Sequence, residues 1–500
     1  MTSINSDFMS QLALRSLGQS SNTMTQAMER LSTGKRINSA ADDAAGLGIA
    51  TKLRAQVNSL EAAGRNASDA LALIGTIDGA LEESGEILQR MRELAVQSAS
   101  DTNTGTDRTF IQDEINQLSQ ELNRISTATE FNNVKLLDGT YTDKSIQIGT
   151  GANQVFRLGV SSTDAATLGA FQISSTTESM DPASEDTHAS AITAFAALFH
   201  ADADYTVKGS FGTATASVAA GADARDVART FNLLSGTTGI NASVTTKAQL
   251  KVDAAETFTF TLQGKSSTKS TVNATITSVS DLTALKDAVN AVSGQTGIVA
   301  SLTEDLSGVN LTQEEGYNIV VGDATAASGN MTVQEMKSDG TLTGSARTLD
   351  ADAAAADSTA VVGQVTLSSH KAFTVTSGNA ANHFATDTTA QNASLSTIGN
   401  LSLKTQSGAT SAIAVIDAAM AQISEIRAEM GAAENRLEST VDNISNVAVN
   451  VQRSLSSVED ANFAAETSQL TKSQILQQAA TSMLAQANKA KQTMLVLLQG

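Results

Sequence analysis

Two stretches far apart in this 500-residue chain repeat apolar side chains every seven residues, and no other feature restricts the fold as strongly. Toward the N-terminus the series is Leu53, Leu60, Ala67, Ile74, Leu81, Leu88 and Ala95. Toward the C-terminus it is Ile423, Met430, Leu437, Ile444, Val451 and Val458, with Val441, Ala448 and Leu455 joining after a shift of stripe. A sustained repeat of seven lays one narrow apolar stripe along a helix, and such a stripe is buried against another helix. The spacing therefore predicts two long helices from opposite ends of the sequence, packed together. The single proline, Pro182, lies between them and interrupts neither.

The first of these helices is predicted to begin at Ser39, where Asp42 completes a capping-box pattern. Running to about Ser98 it would be roughly 90 Å long at 1.5 Å per residue, and the turn-forming run DTNTGT at 101–106 should end it. A shorter helix from 107 carries Ile111, Ile115, Leu118, Leu122 and Ile125 on one stripe and should fold back antiparallel. FNNVKLLDG at 131–139 reads as a turn into extended chain. IQIGTG and VFRLGV then supply short strands, with Gly149-Thr150-Gly151 as the hairpin turn. Between about 165 and 405 the composition shifts to Thr, Ser, Ala and Gly. An internal repeat offset by 58 residues lies here: TATASV (213–218) matches TVNATI (271–276), Asp223 matches Asp281, Asn232 matches Asn290, and SGTTGINA (235–242) matches SGQTGIVA (293–300). Each copy reads strand, helix, Gly-turn, strand. The second long helix should resume near 410 and change pattern beyond Asp460.

The outermost segments, 1–38 and 460–500, carry Leu12, Leu17, Met24, Met28 and Leu31 at one end. At the other they carry Phe463, Leu470, Ile475, Leu476, Met483, Leu484, Leu495, Leu497 and Leu498. These are too sparse to hold an isolated helix pair against chain entropy, yet too regular for a tail. Burial between neighbouring copies would resolve that, so these ends are expected to become helical only in an assembly.

Composition narrows the function. Lys and Arg total 32 against 52 Asp and Glu, a net charge of −20, and residues 140–405 hold 25 acidic against 14 basic side chains. Such a surface repels nucleic acid and anionic lipid. The last forty residues invert the balance, with Lys472, Lys489 and Lys491 against Glu466, which reads as a solvated helix face. There is no cysteine, so no disulfide framework or thiolate metal site exists. No run of eighteen apolar residues occurs, and no membrane partner is expected. MTSINSDFMS has neither a basic n-region nor an apolar h-region, which by itself points to the cytoplasm. His188, His200, His370 and His383 have no second ligand at metal spacing, and no GxSxG elbow, phosphate loop or dinucleotide fingerprint is present. Neither enzyme nor cofactor is expected.

LSTGKRINSAADDAAGLGIA at 31–50, LQRMRELAVQSAS at 88–100 and the closing LLQG resemble bacterial flagellin, in the family's order and over roughly 1–150 and 405–500. The resemblance implies an α+β chain: a rod of long antiparallel terminal helices, coiled-coil or bundle in character, with a β-hairpin region and inserted, mainly-β outer domains. Residues 1–44 and 455–500 would form the terminal helical core, and 45–165 with 405–454 the helical rod. Residues 166–190 with 301–404 would form an outer domain and 191–300 an outermost one containing the repeat, which resembles a module found in flagellin and hook-associated insertions.

The implied function is that of a secreted structural subunit. It would leave unfolded through the flagellar type III export apparatus and self-assemble at the tip of the extracellular filament that gives motility. The hook–filament junction protein is the alternative. Implied partners are further copies of the chain, an export chaperone on the C-terminal segment, and the filament cap and hook-junction proteins. Gln89, Arg90, Leu94 and Glu114 match positions read by host Toll-like receptor 5, with Met91 where Val is common. The inter-subunit residues would be Leu12, Leu17, Leu31, Leu484, Leu495, Leu497 and Leu498.

Overall fold

The computed structural model describes residues 8–175, 203–219, 222–303, 305–326, 329–349, 358–378, 384 and 389–499, with side chains on the last helix described as far as Lys489. The chain opens with helices α1 (Phe8–Thr33), α2 (Ala44–Ala99) and α3 (Gly105–Ala128), then strands β1 (Glu130–Phe131), β2 (Val134–Lys135), β3 (Lys144–Gln147) and β4 (Val155–Leu158). In the middle follow β5 (Gly169–Ser174), β6 (Ala203–Lys208), β7 (Thr213–Val218), α4 (Ala224–Leu233), α5 (Ser235–Thr238) and β8 (Asn241–Val252). After these come β9 (Thr257–Gln263), β10 (Ser270–Thr275), α6 (Thr283–Ala291), α7 (Ser293–Thr296), β11 (Val299–Leu302), β12 (Val309–Gln313) and β13 (Ile319–Thr325). Strands β14 (Met331–Glu335), β15 (Arg347–Leu349), β16 (Thr359–Val361), β17 (Gln364–Ser369), β18 (Thr374–Ser377), β19 (Gln391–Asn392) and β20 (Ser394–Thr397) complete the middle. Helices α8 (Gln406–Glu459) and α9 (Phe463–Gln499) close the chain. The class is α+β, with long helices at both ends and small antiparallel sheets between.

By its contacts the chain divides into two units. One comprises 1–74, 143–158 and 432–500, and the other 75–142 and 159–431. In the first unit the early part of α2 packs antiparallel to the late part of α8. Val57, Leu60, Ala67 and Ile74 are buried along α2, while on α8 Leu437 and Leu455 are buried and Ile444, Val451 and Val458 only half-buried; Leu53 is half-buried too. The β3–β4 hairpin lies on these helices: Asn66 Nδ2 donates to the Gln147 carbonyl at 2.9 Å, and the Arg436 guanidinium covers the Phe156 ring at 5.1 Å.

In the second unit the rest of α2 packs on α3 and on the early part of α8, where Arg427 meets Asp78 at 2.8 Å and Arg92 meets Asp417 at 2.6 Å. Leu81, Leu88 and Ala95 are buried here, as are Ile423 and Met430 across from them. Between the expected positions lie equally buried Ile77, Ser84, Met91 and Ser98, giving the alternating four-three seam of a helix bundle. Its two serines satisfy their hydroxyls on the Ala80 carbonyl (2.8 Å) and the Leu403 carbonyl (2.7 Å). α3 starts two residues earlier than the spacing predicted, on a Thr104–Asp107 capping box.

Two expectations need correction. α2 starts at Ala44, not Ser39: Asp42 does accept from the Ser39 amide (2.9 Å), but it also takes the Asn38 amide (3.1 Å), which closes a turn, and Asp43 caps the helix by accepting from Gly46. The outermost segments are helical within one chain, as α1 and α9. By length and composition alone, α8 is the one described helix apolar enough to cross a bilayer. Its Ile416, Ala419 and Ile423 are buried against protein.

Candidate assembly surfaces

The surfaces that the helices leave uncovered are the candidates for function. α1 and α9 run antiparallel, and the residues buried between them are small: Ser20, Ala27 and Ser473. Small side chains let the two backbones approach, and Ser20 Oγ donates to the Ser473 carbonyl at 2.9 Å. This explains how a pair too poor in large apolar residues for an ordinary seam still forms. It also puts the large residues elsewhere. Leu12 is 52% exposed, Ile475 60% and Met483 61%, and Phe8, Leu14, Met28, Leu476 and Phe463 are exposed as well. Leu17, Leu31 and Leu484 are half-buried, while the side chains of Leu495, Leu497 and Leu498 fall outside the described residues. That several large apolar side chains of one helix pair stand exposed makes the pair a candidate interaction surface.

The base of this pair is fixed by Glu459, the last residue of α8, which is 5% exposed. A carboxylate at a helix C-terminus opposes the helix dipole and needs cations beside it. Lys35 Nζ supplies one at 2.5 Å and the Arg54 guanidinium another. Together they hold the carboxyl below the usual glutamate range, Lys35 making the largest contribution. The backbone is tied at the same place: the Arg36 amide donates to the Glu459 carbonyl (2.7 Å), the Arg36 guanidinium to the Val458 carbonyl (2.7 Å), and the Ala461 amide to the Gly34 carbonyl (2.9 Å). Gly34 has φ +72°, a conformation that favours glycine. Arg30 and Glu466 pair at 3.1 Å just beyond. Thus the exits of α1 and α9 are clasped to one corner. The heptad reading gave no signal for Glu459, because the clasp is built from residues between stripes.

On the α2–α3 face of the second unit, Arg90 donates to Glu114 from Nε (3.1 Å) and Nη2 (2.8 Å) and to Glu93 (3.1 Å), with Gln89 exposed alongside. Leu94 does not belong to that surface. It is 2% exposed and packed inside the helices. Sequence similarity carries residue types but not which side of a helix is covered. The one described histidine, His370, stands 3.7 Å from Glu425; His188, His200 and His383 lie outside the described residues. Among the described residues no group of three or more His, Cys, Asp or Glu side chains is placed to hold a metal ion.

Residues 4–142 match the bacterial flagellin N-terminal helical region, 413–498 the bacterial flagellin C-terminal helical region, and 257–315 the flagellin hook IN motif. Among curated proteins, the chain is 35% identical over 500 residues to the B-type flagellin of Pseudomonas aeruginosa, covering 99% of each. It is 33% identical over 502 residues to a flagellin of Clostridium tyrobutyricum, covering 98% of this chain and 100% of that one. Polar flagellin F of Vibrio parahaemolyticus is 29% identical over 497 residues, covering 99% of each.

Proposed function

The chain belongs to the bacterial flagellin family, and from that premise we propose that α1 and α9 carry the surface through which each subunit binds the next. As a flagellin it is a structural subunit of the extracellular flagellar filament. The observation that supports the reading is the displacement of large apolar side chains to the outside of the α1–α9 pair. Withdrawing one from water contributes about 1.5–3 kcal/mol, and contacts that pass from subunit to subunit without closing a ring generate a helical filament.

The same exposed side chains on α9 suit an export chaperone that covers the C-terminal segment before the chain enters the type III export apparatus unfolded. Filament cap and hook-junction proteins would meet the surfaces that the subunits use with each other. For host Toll-like receptor 5 the exposed group available is Gln89, Arg90 and Glu114, without Leu94. The protein works by assembly and carries out no catalysis. A role as the hook–filament junction protein is the weaker reading, since the curated relatives that match along the whole chain are flagellins. Electron microscopy of the purified chain after salt-induced polymerisation separates the two. Long uniform filaments are expected; short caps or unassembled monomer would overturn the filament reading.

A further inference from the structure

The repeat in the middle of the chain is larger than its matching strings. In its second copy, β10, β9 and β13 form adjacent strands of one sheet, α6 packs on β10 and β11, and β11 pairs antiparallel with β12. All of these lie in one continuous stretch, 257–325. In the first copy the adjacent strands are β7, β6 and β18, α4 packs on β7 and β8, and β8 pairs antiparallel with β17. Its parts come from 203–245 and from 364–377. Position by position the copies agree. Asn232 closes a two-bond ring with Ala242 (2.8 and 2.7 Å), and Asn290 closes the same ring with Ala300 (2.9 and 2.8 Å).

Gly239 and Gly297 turn the chain at φ +73° and +68°. A Cβ on Gly209 would strike the Thr238 carbonyl oxygen at 1.9 Å, and one on Gly264 the Thr296 carbonyl oxygen at 2.3 Å. Each copy also has its own core. Val227 and Phe231 lie in one with Val365, Leu367 and Val375, whereas Leu285 and Val289 lie in the other with Leu311 and Val321. The boundary expected at residue 300 therefore falls within β11 and divides the second core.

We infer that this region is a nested duplication: the second module sits inside the hairpin that joins the third and fourth strands of the first, and that hairpin is the module's acceptor site for inserted sequence. The geometry suits the role. The chain leaves the first module at Thr245 and returns at its ladder partner Gln364, so an insert whose ends lie close together leaves the ladder unbroken. Lengthening a loop there costs little, because closure entropy grows only slowly with length. In the second module the equivalent hairpin, between β11 and β12, is still a short turn. The Thr303 amide closes it on the Gly308 carbonyl (3.0 Å), Asp305 and Leu306 are exposed, and Leu306 sits at φ +60°. It is the acceptor that remains unfilled, a place where a further folded domain can be carried.

The test uses the full chain. A small folded domain with adjacent termini is inserted between Asp305 and Leu306, and as a control between Thr259 and Phe260 inside β9. Hydrogen exchange is then followed by mass spectrometry. At the first position both modules should keep their protection and secretion should persist, while the control loses protection in 257–325. Loss of protection at the first position equal to that of the control would overturn the acceptor site. In the unmodified chain, peptides from 364–377 should open in denaturant together with 203–245. Opening together with 309–325 instead would overturn the nesting.

Discussion

Replacing Leu12, Ile475 and Met483 together by serine should abolish filament formation and leave each chain folded. All three are exposed in the subunit, so their substitution falls in the class that changes stability by only about 0.5 kcal/mol. If all three are buried on assembly, the loss is roughly 4.5–9 kcal/mol for every subunit added. At about 1.4 kcal/mol per factor of ten, the concentration needed for polymerisation rises more than a thousandfold. Sedimentation after addition of salt, with circular dichroism on the same samples, reads both effects. A variant that pellets at the normal concentration would show that these side chains do not reach a neighbour.

Glu459→Gln should loosen the two terminal helices while sparing the rest. The substitution removes the charge that Lys35 and Arg54 address, at a site where the carboxyl is covered but both cations are about half exposed. Hydrogen bonds to charged groups contribute about 1.5–3 kcal/mol, and the exposure of the cations puts the expected loss near the lower figure. The acid dependence has a defined sign. Because the folded state holds the Glu459 carboxyl below its ordinary range, its contribution is present above the unfolded value of 4.5 and is lost as pH falls through the folded one. Exchange of amides in 8–33 should be faster in the variant at pH 7, and the difference should vanish well below pH 4.5. An equal difference at both pH values would show that Glu459 acts through packing and not through its charge.

How far the fold could be read in advance depended on which residues carried the signal. The seven-residue series located both long helices, because Leu, Ile and Met stand out at fixed spacing. The other half of the seam stayed hidden, since it uses Ala63, Ala70, Ser84 and Ser98, which look no different from surface residues until a partner covers them. The same camouflage concealed the pairing of α1 with α9 through Ser20, Ala27 and Ser473. The repeat at offset 58 was visible wherever turn residues recur, at Asn232 and Asn290 and at Gly239 and Gly297. Its nesting was not, because strand pairing joins residues such as Thr245 and Gln364 with no local trace in sequence. Glu459 depends on contacts from Lys35 and Arg54, more than 400 residues away. Leu94 shows the opposite case: its identity matches the family's, but its burial is a property of the packed helices.

The central claim is that the apolar side chains exposed on α1 and α9 in one subunit are covered by its neighbours in the filament. The chain has no cysteine, so a single thiol reports without background. Ile475→Cys, treated with a water-soluble maleimide as monomer and again as polymer, measures that coverage directly. The account predicts rapid, complete labelling of monomer and strong protection in filaments, with labelling restored on depolymerisation. Equal labelling rates in monomer and filament would contradict it.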